Sequence, residues 1–101
     1  MFIQKTFRRD MRNAIQTAHA SIERKERISK VFERINKKGT KLLDCFYVDK
    51  GHKNGPEIHC VYSTGDIIIC NAKTDLLITA YLGTYRQLTR YYKACKIPSK
   101  F

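Results

Sequence analysis

A chain of 101 residues with 43% hydrophobic side chains suits one compact domain and excludes wholesale disorder or a collagen-like repeat. No apolar run approaches the roughly 18–20 residues that span a bilayer. The opening MFIQKTFRRDMR has neither an apolar core segment nor a small-residue cleavage site, so a cytoplasmic location without membrane association is expected. Twenty Lys and Arg against nine Asp and Glu give a net charge of +11, of which residues 1–41 carry +8. Nucleic acid is the commonest partner for such a field, ahead of an acidic protein or an anionic surface.

The first 39 residues read as a basic helical segment. Phe7, Met11, Ile15, Ala18 and Ile22 form one apolar stripe, and Ile28, Val31, Phe32 and Ile35 a second, rotated one. One long helix that turns a new face to the body, or two helices meeting near His19 to Ser21, would satisfy both. Gly39 ends the segment.

From residue 40 to 82 the pattern is that of strands. Lys41 to Val48 reads as a first strand, rich in aromatic and aliphatic residues. Lys50-Gly-His-Lys-Asn-Gly-Pro56 is a loop full of breakers. A second strand, Glu57 to Ser63, turns at Thr64-Gly65 into a third, Asp66 to Asn71. A further turn leads to a fourth, Leu76 to Leu82. The short connections predict an antiparallel meander of four strands.

Residues 84–96 carry the last helix. Thr84 and Gln87 make a capping box. Leu88, Tyr91, Tyr92 and Cys95 form its buried stripe, Arg86, Arg90 and Lys93 lie on the other side, and Pro98 stops it. The expected fold is α+β, one domain: one or two N-terminal helices, a four-stranded antiparallel meander and a C-terminal helix, with the helices on one face of the sheet.

Cys45, Cys60, Cys70 and Cys95 include no C-x-x-C pair, so buried reduced thiols are expected. His59 and Cys60 are adjacent on a strand and face opposite ways, which argues against a metal site with His52. No cofactor is expected.

Alternation sorts the strands into faces. Leu76, Ile78, Ala80 and Leu82 would face the core. Glu57, His59, Thr79 and Tyr81 would share the open face of the sheet, beneath the loop that bears His52. Taken singly, each has an ordinary structural reading: a surface histidine, an edge charge, good strand formers. The exposed start of the last helix, Tyr85 to Gln87, would favour an anion, and Arg86 adds a bidentate phosphate donor. Metal-free RNA cleavage needs a base, an acid and cations for the phosphorane, and these residue types supply all three. Acidic clusters for two-metal chemistry, a P-loop and a nucleophile elbow are absent from the sequence.

The run Lys50-Gly-His52, Gly55-Pro-Glu57-Ile-His59-Cys-Val, Thr64-Gly65, Ile67-Ile68-Ile69, Asn71, Thr74, Leu77-Ile78-Thr79 and Arg86-Gln87-Leu-Thr-Arg90-Tyr-Tyr92 resembles small phage and prophage proteins of Gram-positive bacteria. More distantly it is similar to the barnase–EndoU–colicin–RelE ribonucleases. The likeness covers roughly residues 41 to 93, and its motifs are short. It implies N-terminal helices on a four-stranded antiparallel sheet and metal-independent RNA cleavage. It also implies His59 as general base or acid with His52 as its partner, Arg86 on the phosphate, and Thr79 or Tyr81 orienting the scissile group. Where that pattern has Arg-Pro after the fourth strand, this chain has Thr84-Tyr85, which leaves Arg86 or Arg90 to hold the phosphate.

Two functions of different class follow. One is a small endoribonuclease, toxin-like or phage-encoded, acting on RNA rather than DNA by histidine acid-base chemistry, with a protein inhibitor or host protein as a further partner. The other is a non-catalytic module that binds nucleic acid or a host enzyme through Arg8, Arg9, Arg12, Arg24, Arg27 and Arg34. A structural phage component whose charge is only a solvated face is a third.

Overall fold

The computed structural model describes residues 1–7, 9–12 and 22–101. The element order is β1 (Phe2–Thr6), α1 (Ile22–Ile35), β2 (Leu42–Asp49), β3 (Glu57–Tyr62), β4 (Asp66–Asn71), β5 (Leu77–Leu82) and α2 (Tyr85–Ala94). The strands form one antiparallel sheet in the order β1-β2-β3-β4-β5. The α+β class and the meander from β2 to β5 are as expected from the sequence. Among the described residues the sheet has five strands rather than four.

The extra strand comes from the segment read as the start of a helix. Phe2–Thr6 pairs with Asp49–Cys45 of β2, a partner some forty residues away that local periodicity cannot reveal. Ile3 turns inward, while Phe7, the first member of the supposed helical stripe, is 93% exposed. Met11 is buried, but in irregular chain against the core beneath α1. Arg8, Ile15, Ala18 and the expected junction at His19 to Ser21 lie outside the described residues.

The second difference is in the layers. α1 lays Ile28, Val31 and Ile35 on one face of the sheet, against Cys45, Cys60, Tyr62, Ile68 and Ala80. α2 lays Leu88, Tyr91 and Tyr92 on the opposite face, against Phe46, Val48, Val61, Ile67 and Ile69. Phe46 stacks on Tyr91 with ring centroids 5.0 Å apart and meets Tyr92 edge-on at 5.3 Å. The sheet is therefore covered on both sides, and the face expected to be open is a second core. The run Ile67-Ile68-Ile69, buried throughout, is the mark of a strand covered on both sides.

β5 also departs from simple alternation. Ile69 pairs with Thr79 but Cys70 pairs with Leu77, so Ile78 is an extra residue in the ladder. The bulge re-aims what precedes it. Leu77 and Ala80 face α1 together, and Ile78 and Tyr81 pack on the α2 side. Leu76 and Leu82, expected in the core, are exposed. Gly83 follows where sheet and helix meet: a Cβ there would lie 2.8 Å from Ile67 Cδ1 and 3.0 Å from Leu88.

Two buried carboxylates tie the layers. Asp66 accepts from Arg34 Nε and Nη2 (3.0 and 2.6 Å) and from Thr64 Oγ1 (2.6 Å), joining α1 to β4. Asp44 accepts from Tyr92 (2.7 Å) and pairs with Lys5 (3.3 Å) and Lys100 (3.0 Å). It thereby joins β1, β2, α2 and the C-terminal tail. Burial alone would raise the Asp44 pKa, but these three partners hold it below its ordinary value.

Candidate functional site

Thr84 starts α2 as the sequence indicates. Its hydroxyl accepts from Gln87 N, and the Gln87 side chain accepts from Thr84 N at 2.8 Å. The cap fixes the helix phase. Leu88, Tyr91 and Tyr92 go inward, and Arg86, Arg90 and Lys93 line a shallow exposed depression of about 450 Å³. α2 contains no acidic residue, and Tyr85, at its head, is 71% exposed.

His59 lies behind this helix. The ring is fully buried, with Nε2 2.9 Å from Glu57 Oε1 and Nδ1 2.7 Å from the Tyr91 hydroxyl. A carboxylate can only accept, so Nε2 carries the proton and Nδ1 accepts from Tyr91. The His59 pKa is lowered to about 4, chiefly by burial and in the same sense by Lys50 and Arg90, against the hydrogen bond and charge of Glu57, which pull it up. Burial also raises the Tyr91 phenol, with Tyr81 and Arg90 within electrostatic reach. Glu57, His59 and Tyr91 form a hydrogen-bonded network in which the imidazole and the phenol are neutral and the carboxylate is paired with Lys50, joining β3 to α2. Glu57 and His59 were expected on an open face; α2, with Tyr91 in its buried stripe as expected, covers His59.

Glu57 looks both ways. Its side chain is 17% exposed, pairs with Lys50 at 3.6 Å, and lines a cleft of about 560 Å³ that also takes in His52, Lys53 and Arg24. Leu76 and the half-buried Ile78 make the apolar wall of this cleft, with Leu77 buried behind them. Its two loops are locked together by Asn71, which sequence reasoning left without a role. Asn71 Nδ2 donates to the carbonyl of Asn54 (3.1 Å), and Oδ1 accepts from Lys73 N and Thr74 N (2.8 and 3.1 Å). Gly51 and Gly55 take positive φ at +72° and +87°, which glycine adopts freely. The His52 carbonyl accepts from Gly55 N at 3.0 Å.

No protein-family model, curated protein or solved structure matches this chain. The site must be read from its own geometry.

That geometry divides the residues singled out in the sequence. His52 and Glu57 share the cleft, while Arg86 and Arg90 share the outer face of α2. His59 is shut away between them. Thr79 Oγ1 accepts from Arg27 Nη2 (2.9 Å), whose Nε donates to the carbonyl of Ala80 (3.1 Å). Arg27 thus covers the free edge of β5. Tyr81 is half-buried against the α2 core.

Most of the basic N-terminal set is engaged in structure. Arg34 holds Asp66. Arg12 donates to the carbonyls of Ile35 and Thr40 (2.8 Å each), satisfying the end of α1, and lies over the Tyr62 ring. Arg9 pairs with Asp75 at 2.6 Å. Arg24 is exposed and borders the cleft.

The four cysteines are free thiols; Cys45, Cys60 and Cys70 are buried as expected, and Cys95 is half-buried. Cys45 and Cys60 face each other across β2 and β3 with their sulfurs 3.5 Å apart. Among the described residues no group of His, Cys, Asp and Glu is placed to hold a metal ion, and no helix is long and apolar enough to cross a membrane.

Proposed function

We propose that this protein binds a single-stranded nucleic acid, RNA ahead of DNA, along the outer face of α2. The observation that carries this reading is the row Arg86, Arg90 and Lys93 at i, i+4 and i+7. It stands on one exposed face of a helix without an acidic residue. Such a row spans about 10 Å, a reach that takes in adjacent phosphates of an extended strand. Arginine and lysine neutralise backbone charge without reading sequence. Tyr85 at the head of the row offers a ring on which a base can stack, and single strands leave bases free to do so. The N-terminal arginines are weaker candidates, because Arg9, Arg12, Arg27 and Arg34 already serve carboxylates and carbonyls.

The test is fluorescence anisotropy with labelled single-stranded RNA, single-stranded DNA and duplex, at several salt concentrations. Each phosphate contact on a single strand contributes a slope of about −0.7 to log K against log salt. Removing three contacts in Arg86→Gln/Arg90→Gln/Lys93→Gln should flatten the slope by about 2. An unchanged slope refutes the reading.

Cleavage of the bound strand is a second reading, favoured by the cleft that His52 and Glu57 share. A proton-transfer group must come within hydrogen-bond reach of the substrate. His52, exposed in its loop, meets that requirement and the buried His59 does not. End-labelled RNA incubated in EDTA should then yield 2′,3′-cyclic phosphate ends that disappear in His52→Ala. Intact RNA with the unaltered protein leaves binding alone.

A further inference from the structure

We infer that the cleft between the His52 loop, the start of α1 and the β4–β5 turn is a binding site for a nucleoside monophosphate. The inference stands on the cleft and does not depend on strand binding by α2.

At about 560 Å³ the cleft falls in the range of small-ligand sites, roughly 300–1,000 Å³. Its charge selects the sign of the ligand. Arg24 and Lys53 border it, and His52 stands beside them. Its carboxylate, Glu57, is already compensated by the His59 Nε2–H and by Lys50. Counted together, Arg24, Lys50 and Lys53 against the one carboxylate of Glu57 give a positive field, suited to a compact anion such as a phosphate monoester.

The opposite wall asks for a different group. Leu76 and Ile78 form an apolar strip, Leu76 exposed to solvent and Ile78 half-buried, with Leu77 buried behind them. Beside it, the Asn54 side chain offers both an amide donor and a carbonyl acceptor, a pairing that matches the edge of a nucleobase. A flat heterocycle on the apolar strip, its edge toward Asn54 and its phosphate toward Arg24 and Lys53, uses every wall. An acidic peptide would leave the strip bare.

The rim is fixed beforehand. The Asn71 carboxamide is spent at both ends, on the carbonyl of Asn54 and on the amides of Lys73 and Thr74. Asn71 is thus a positioning residue that sets the spacing between the loops, and a rim built in advance loses less entropy on binding.

The test is a ¹⁵N-HSQC titration of the full chain with UMP, CMP, AMP and GMP, alongside uridine and inorganic phosphate as the two halves. At least one monophosphate should shift the amides of Asn54, Gly55 and Thr74 and bind more tightly than either half. Lys53→Gln should weaken it about tenfold, equivalent to about 1.4 kcal/mol. Arg86→Gln/Arg90→Gln should leave it unchanged while strand binding falls, which separates this site from the face of α2. Lys53 lies in an exposed loop, so its variant folds. Three results overturn the inference: no shift at millimolar ligand, shifts confined to α2, or phosphate alone binding as tightly as every nucleotide.

Discussion

Burial of His59 makes acid stability a measurable property of this fold. Its pKa falls from 6.5 to about 4 because the ring loses its water behind α2, and the positive Lys50 and Arg90 act in the same sense against partial support from Glu57. An unfolded chain therefore takes up a proton near pH 6.5 that the native state refuses. The contribution of neutral His59 is complete above pH 6.5 and is lost as the pH falls toward 4. At about 1.4 kcal/mol per unit the full difference is about 3 kcal/mol, and between pH 7.5 and 5 it comes to about 2 kcal/mol. Urea unfolding at these two pH values, for the protein and for His59→Gln, isolates the effect. Glutamine keeps an amide for Glu57 or Tyr91 but does not titrate, so the variant should lose about 2 kcal/mol less across the window. Equal losses, or an imidazole NMR titration centred near the ordinary value, would refute the sealed-histidine account.

The remaining expectations concern the joints between layers. Arg34→Met leaves the buried Asp66 with Thr64 as its remaining side-chain donor. It should cost about 2–3 kcal/mol by urea unfolding, below the usual figure for a broken buried pair because the Arg34 side chain is 35% exposed. Asp66→Asn in that background should recover part of the loss. Gly83→Ala drives a methyl against Ile67 and Leu88 and should lower stability by about 1–3 kcal/mol, read as a fall in melting temperature. Tyr92→Phe removes a donor from Asp44, at a cost of about 1–3 kcal/mol. It should also raise the Asp44 pKa, so that acid unfolding begins at a higher pH; an unchanged acid midpoint would contradict the assigned bond.

Local rules recovered the meander because each of its signals is local. Thr64-Gly65 and the Asn71 turn sit between runs of strand-forming residues, and Thr84 with Gln87 states the start of α2 within four residues. The cysteines and the opposite facing of His59 and Cys60 were legible for the same reason. β1 was not, since five residues, FIQKT, become a strand only by pairing with β2 across forty residues of chain. The bulge at Ile78 was equally hidden: it is a property of two strands in register, and it put Leu77 beside the expected Ala80 on the α1 side while turning Ile78 to the other.

The site divides along the same line. Composition and the α2 pattern alone determined an excess of positive charge, a capped helix and a row of Arg86, Arg90 and Lys93 opposite an apolar stripe. Only the tertiary structure decided which side of the sheet that helix covers. Helix amphipathicity says that a face must be buried, but not on which surface. The choice of side turned His59 from a presumed solvent-facing acid-base group into a sealed link between Glu57 and Tyr91, and it left His52 and Glu57 to form the cleft. Likewise, no periodicity could show that Arg12, Arg27 and Arg34 would be drawn onto carbonyls and a carboxylate. Those acceptors are set by chain ends, sheet edges and buried acids, which exist only once the layers have packed.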